Sequence, residues 1–262
     1  MRALEFIVLP YALSGFGVGF VVGLTGVGGG SLMTPLLVLL FGIHPATAIG
    51  TDLRYASVTK SVGTAVHGVS RNVEWRMVGF LAMGSAPATA LTILALYVAG
   101  QKGQPTPHFL STVLGIAVML TAGLILMRRK VVAWLGPRIG PDGPRNPALW
   151  TVLTGATLGA LVTLSSVGAG ALGVTALVLL YPHMPISRIV GSDIAHAVPL
   201  TLLAGMGHWW LGTVDLHLLG SLLTGSVPGI IIGSLIAVRV PESVTRPALA
   251  TVLIVVGGKL VF

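Results

Sequence analysis

Ten apolar stretches follow one another along this chain with only short polar breaks between them, and nothing else limits its fold so severely. They lie at roughly 5–25, 30–41, 46–68, 76–99 and 108–127, then 148–165, 170–181, 186–207, 215–237 and 246–261. Charged residues make up 8% of the chain, against 54% hydrophobic, and the mean hydropathy is +0.94. A soluble domain carries about a quarter charged residues, so this chain cannot cover its surface with polar groups. Repeated apolar runs with few charges are membrane spans. The expected fold is an all-α, polytopic transmembrane bundle.

The net charge of +8 does not point to nucleic acid, because the basic residues sit mainly in short loops and form no patch interleaved with aromatics. Control of membrane topology explains them. With no cysteine in the chain, disulfides, thiolate catalysis and thiolate-held metals are excluded. The start, Met1 and Arg2 before an apolar run, could pass for a signal peptide. Its equivalent recurs after Ala148, so it is read as part of the fold.

The two groups of five segments repeat each other. At an offset of 140, Gly15 meets Gly155, Gly28 meets Gly168, Gly30 meets Gly170 and Pro45 meets Pro185. One inserted residue later, at an offset of 141, Gly50-Thr51-Asp52 meets Gly191-Ser192-Asp193 and His67 meets His208. Val73-Glu74 then meets Val214-Asp215, and Gly84-Ser85 meets Gly225-Ser226. Aspartate, histidine and proline are too sparse here for chance matching. The expected division is an N-terminal repeat (1–127), a cytoplasmic linker (128–147) and a C-terminal repeat (148–262). The linker, RRKVVAWLGPRIGPDGPRNP, carries four prolines and five basic residues and is read as polar and non-spanning.

Five segments per half, an odd number, invert the second half. With the linker inside, ten cations fall on the cytoplasmic side and Arg2, Lys102 and Lys259 outside. The N-terminus is then outside. A parallel repeat of four spans would place Arg188, Arg239 and Arg246 on the wrong side.

Each half contains a glycine-rich interruption: FVVGLTGVGGGSLM at 20–33 and LVTLSSVGAGALGV at 161–174. Glycine lets the backbone leave helical geometry and approach a ligand closely. The helix that follows, as Ser31–Phe41, rises only about 16 Å against a hydrocarbon core of about 30 Å. It must start near mid-membrane and return. Helix starts at Ser31 and Ala171 would direct unpaired N–H groups toward an anion, and paired interruptions of this kind mark transporter sites. Thr25, Gly28, Gly29, Gly30 and Ser31, with Ser165, Ser166, Gly168, Gly170 and Ala171, are the expected substrate-binding residues. Thr34 and Thr175 add hydroxyls. The alternative for all these hydroxyls is satisfying backbone at the kinks.

Asp52, Ala56, Lys60, Gly63 and His67 share one helix face. A charge at the centre of a span costs about 3 kcal/mol or more unless paired or wetted. Lys60 is the expected cation for the substrate, or a structural partner of Asp52 or Asp193. Asp52 and Asp193 are candidate coupling or gating groups, with capping of a helix start as the alternative. His196, a turn after Asp193, is a candidate proton carrier. His67 and His208 read as structural. Arg54 is expected to snorkel toward the outer surface, and Trp75, Trp209 and Trp210 to form an aromatic belt.

GLTGVGGGSLMTPLL, HPATAIGTDLRYASVTKSVGTAVHG and VEWRMVGFLAMGSAPATALT resemble the sulfite exporter TauE/SafE family, as does SSVGAGALGVTALVLL with IVGSDIAHAVPLTLLAGMGHWW in the second half. The resemblance implies a bacterial-type inner-membrane permease for small sulfur-containing anions such as sulfite or sulfonates, generally an exporter. Arg54 departs from the apolar residue expected at its place. Thiosulfate-transporting relatives rely on cysteine, which is absent here.

The expectation is therefore a secondary transporter of a small oxyanion, with the lipid bilayer and, as coupling ion, protons for partners. A homo-oligomer stays open, and no cofactor, metal or nucleic acid is called for. The rivals are a permease or channel for another anion such as a carboxylate, and a scaffold subunit. An enzyme is not supported, since the chain has no HExxH or GxSxG motif.

Overall fold

The computed structural model describes residues 8–25, 30–67, 73–101, 107–140, 142–237 and 242–261. The described residues form ten helices and no strand: α1 (Leu9–Thr25), α2 (Gly30–Phe41), α3 (Pro45–His67), α4 (Trp75–Gln101), α5 (Pro107–Ile139), α6 (Pro147–Ser165), α7 (Ala171–Leu180), α8 (Ile186–Trp210), α9 (Leu216–Ala237) and α10 (Glu242–Val261). Local signals set several ends. Asn146 caps α6 by accepting the Leu149 amide at 3.2 Å, with Pro147 in the first turn. Asp215 does the same for α9, accepting the His217 and Leu218 amides at 2.9 and 3.0 Å.

α4, α5, α6, α8 and α9 are long and apolar enough to cross a membrane. α3 fails that measure because it carries Asp52, Arg54 and Lys60, and the bundle hides it: α2, α5, α6, α8 and α9 all pack on it. The charged residues of the least apolar helix are turned into the bundle, while Val58 on the same helix faces outward. Leu13, Leu40, Leu91, Leu94, Leu120 and Leu235 face outward too, as a lipid-facing surface requires.

The stretch read as a linker from residue 128 is helical to Ile139. At 33 residues α5 is about 50 Å long, well beyond the bilayer core. The prolines of this stretch begin only at Pro137, and RRKVVAWLG before it contains nothing that forbids a helix. The helix ends at Gly140, which takes φ +105°, and Arg138 lies over the Trp134 ring at 3.7 Å.

Glycines at four-residue spacing bring helices into backbone contact. A Cβ added at Gly15 would collide with the Leu222 carbonyl, one at Gly19 would lie 2.5 Å from the Ser226 carbonyl oxygen, and one at Gly225 would collide with that of Ala12. Residue numbers rise together, so α1 and α9 run parallel. The same contact recurs between α6 and α4: Gly155 against Leu81, Gly159 against Ser85 and Gly84 against Val152. Each residue here is the first set's counterpart at the 140 or 141 offset. Small residues at this spacing let membrane helices pack by van der Waals contact, where lipid offers no hydrophobic drive.

Candidate functional site

α3 and α8 cross antiparallel, with Gly50 of α3 against His208 and Thr213, and Arg54 against Gly205. Along this seam lie the charged groups picked out in the sequence. Asp52, Asp193, Lys60 and His196 are exposed by 0%, 2%, 8% and 1%, so burial inside the bundle, not snorkelling, shields them from lipid. Lys60 sits in the field of Asp193 foremost and of Asp52 next, and His196 lies within the field of Lys60. Of Gly63 and His67, further along the face, only the helical backbone is described.

Each acid rests on the first turns of its own half-helix. Asp52 Oδ2 accepts the Thr34 amide at 3.2 Å and the Thr34 hydroxyl, both from α2. This ties it to the positive end of that helix. Its Oδ1 is buried without a hydrogen-bond partner, and the Ser166 hydroxyl faces the carboxyl without reaching hydrogen-bonding geometry. Asp193 presses its Oδ1 against Gly173 in the first turn of α7, where any side chain would collide with it. That oxygen is also buried and unpartnered. α7 has a glycine where α2 has Met33, and it has no hydroxyl at the place of Thr34.

His196 Nε2 hydrogen-bonds the Ser85 hydroxyl of α4 at 2.8 Å, while its Nδ1 is buried without a partner. At the 141 offset these two residues are Tyr55 and Ser226, whose hydroxyls face each other across α3 and α9, again short of hydrogen-bonding geometry. Tyr55, Ser85 and Ser226 were not singled out as site residues. The signal was present, since Gly84-Ser85 and Gly225-Ser226 align in the repeat.

The second interruption is a sharp one. Ser166 closes α6 in the left-handed region at φ +57°, its amide bonded to the Val162 carbonyl at 2.7 Å. Gly168 and Gly170 take φ +113° and +124°, which only glycine adopts without strain. Gly170 precedes α7 and gives it no side-chain cap. A helix start of this kind directs its first amides, free of any cap from Gly170, into the interruption. The Ser165 hydroxyl is engaged with the Leu161 carbonyl at 2.7 Å and the Val167 amide at 3.2 Å, and Thr175 bonds the Ala171 carbonyl at 2.6 Å. Those two hydroxyls serve the backbone at the kink. Gly28 and Gly29 lie outside the described residues, and of Thr25, Gly30 and Ser31 only the helical backbone is described.

At the far end of the seam His208 donates Nε2–H to the Thr163 carbonyl at 2.9 Å, with Nδ1 at 2.9 Å from the Thr213 hydroxyl. It ties α8 to the end of α6. Arg54 runs past Gly205 to place its guanidinium over the Trp209 ring at 4.5 Å, a cation–π contact. Trp210 lies against Tyr97 at 4.9 Å. These partners, missed in the sequence, give the two tryptophans more than an interfacial role. A cavity of about 430 Å³ opens here, lined by Ile49, Tyr97, Leu110, Thr163, His208 and Trp210 among others. Thr163 and Leu164, in the last turn of α6 before Ser166, both line it.

A buried seam of opposite charges beside a broken helix, inside a bundle of apolar helices, belongs to the class of polytopic membrane transporters. The model of one family, Sulfite exporter TauE/SafE, matches residues 11–260, and this chain belongs to that family. It is 39% identical over 250 residues to "Probable membrane transporter protein YjnA" of Bacillus subtilis (strain 168), covering 95% of this chain and 98% of the relative. A "Probable membrane transporter protein" of Xylella fastidiosa (strain Temecula1 / ATCC 700964) is 28% identical over 88% of this chain and 85% of its own. "Probable membrane transporter protein YdhB" of Bacillus subtilis (strain 168) is 25% identical over 94% and 97%. No solved structure matches the chain.

Proposed function

We propose that this protein is a secondary transporter that exports a small sulfur-containing anion, sulfite or an organosulfonate, across the plasma membrane. The anion binds at mid-membrane, between the two glycine interruptions, with Lys60 as its cation. One observation carries this reading: a lysine exposed by 8% lies in the seam that holds both repeat-equivalent acids, Asp52 and Asp193. A fixed positive charge withdrawn from lipid is costly and is suited to greeting a negative solute. The family's description as sulfite exporters supports the choice of sulfur oxyanions.

The two halves are inverted repeats in this reading. Support comes from the helix pairings, since α1 with α9 becomes α6 with α4 when the halves are exchanged, and from the antiparallel crossing of the equivalent helices α3 and α8. The N-terminus lies outside, and the cations of 128–147 lie in the cytoplasm, where the long end of α5 projects. The test is flux in proteoliposomes over sulfite, sulfate, ethanesulfonate, taurine and short carboxylates, with wild type and Lys60→Met. Sulfite or sulfonate flux that Lys60→Met lowers sharply at sub-saturating anion is expected. Flux of carboxylates alone, or undiminished flux in the variant, overturns the reading.

A further inference from the structure

We infer that each monovalent anion bound at Lys60 brings one proton with it, taken from water by Asp193. This rests on the reading of Lys60 as the anion's cation, and it adds a coupling ion, a stoichiometry and a named acceptor. Anion and proton cross together without net charge, so export runs on the anion's own outward gradient and against an inward proton gradient. Lys60 has one positive charge to offer, and Asp193 is the foremost opposite charge acting on it. An arriving anion competes with Asp193 for that charge.

The two acids would fare differently. Asp52 keeps its compensation elsewhere, in the amide and hydroxyl of Thr34 at the start of α2. Both acids leave Oδ1 buried without a hydrogen-bond partner, but Asp193, set against a glycine, has no hydroxyl at the place of Thr34. Deprived of Lys60, it would be an uncompensated carboxylate in a buried site, and such a group takes up a proton instead of remaining charged. The exchange balances: charged Lys60 and charged Asp193 in one seam, plus an anion and a bulk proton, become charged Lys60 beside the anion and neutral Asp193. No bond in the anion changes and no electron moves.

Among the described residues nothing else nearby offers the missing charge; the His67 side chain, on the same face of α3, lies outside them. α2, α6 and α7 contain no ionisable side chain, α9 has only His217 at its exposed start, and α4 has Arg76 and Tyr97 toward its ends. α5 carries His108 at one end and its basic cluster at the other. On α3 and α8 themselves, Arg54 is turned onto Trp209, His208 is bonded to Thr163, and Arg188 lies 3.8 Å from Glu74. Tyr55 and His196 face the seam, and His196 holds Ser85 through one nitrogen.

The experiment is calorimetric titration of the purified full-length protein with ethanesulfonate, a strong-acid anion with no proton of its own to exchange. Runs in two buffers of different protonation enthalpy count protons. About one proton taken up per anion is expected, with affinity weakening about tenfold per unit rise in pH, as linkage requires. Binding with no proton uptake and no pH dependence overturns the inference and leaves the anion site standing. Failure of both ethanesulfonate and sulfite to bind overturns the site and the coupling together. Asp193→Asn should bind the anion without proton uptake, and an unchanged count in that variant moves the proton off Asp193. The wild-type count decides the coupling even if the variant does not fold.

Discussion

The Glu74 amide donates to the Ser192 hydroxyl at 2.8 Å, joining the start of α4 to α8 across the two halves of the chain. Its counterpart at the 141 offset is present too, with the Asp215 amide donating to Thr51 at 3.0 Å. Both hydroxyls belong to fully buried residues. Ser192→Ala and Thr51→Val should therefore each destabilise the protein by about 1 kcal/mol, and by similar amounts. The sites lie at opposite ends of the α3–α8 seam, so the double variant should show the sum. Thermal unfolding in detergent measures this; a cost confined to one of the two would contradict the equivalence.

Thr34 gives Asp52 both a backbone and a hydroxyl donor. Thr34→Val keeps the shape and the amide but removes the hydroxyl, and should cost about 1–3 kcal/mol because a buried charged group loses a donor. Thr34→Ser should recover most of that loss. Equal stability of the valine variant and wild type would mean that the hydroxyl contact contributes nothing.

Two glycines of α9 provide a matched comparison. Gly225 meets the Ala12 carbonyl of α1, whereas Gly220 has open space around it. Gly225→Ala should destabilise by about 1–3 kcal/mol through overpacking. Gly220→Ala, free of that clash, should be neutral or mildly stabilising through better helix propensity. Melting curves of the two variants side by side decide it.

Lys60→Met removes the seam's cation while keeping a long unbranched side chain. Loss of a charge-assisted contact of about 1.5–3 kcal/mol corresponds to roughly a 10- to 150-fold weaker apparent affinity for the anion. Lys60→Arg, which keeps the charge, should fall between that variant and wild type. Concentration dependence of uptake in proteoliposomes separates the three.

Helix existence was legible because a chain so poor in charge has one way to satisfy its backbone in lipid. The convergence of α3 and α8 was legible in part: Asp52 and Lys60 share a face by spacing, and the repeat points to Asp193. What spacing does not reveal is a partner on another helix. Nothing in the sequence announces that Thr34 holds Asp52, that Gly173 makes room for Asp193, or that Tyr55 and His196 each face a serine. The four-residue glycine spacing of α1 and α9 is compatible with backbone freedom as well as with close contact, and only a partner helix distinguishes the two. The prolines near 141 hid the extension of α5, since they describe where that helix stops and not where it leaves the membrane.

The glycine contacts also decide what can move. α1 is clasped by α9 and α6 by α4, so each broken pair is held by the opposite half of the chain. A rocking motion that separated residues 1–127 from 148–262 would have to tear both clasps open. Any two bodies that move while both clasps stay shut must each combine helices from both halves, and either half expressed alone would lose the partner of its glycine face.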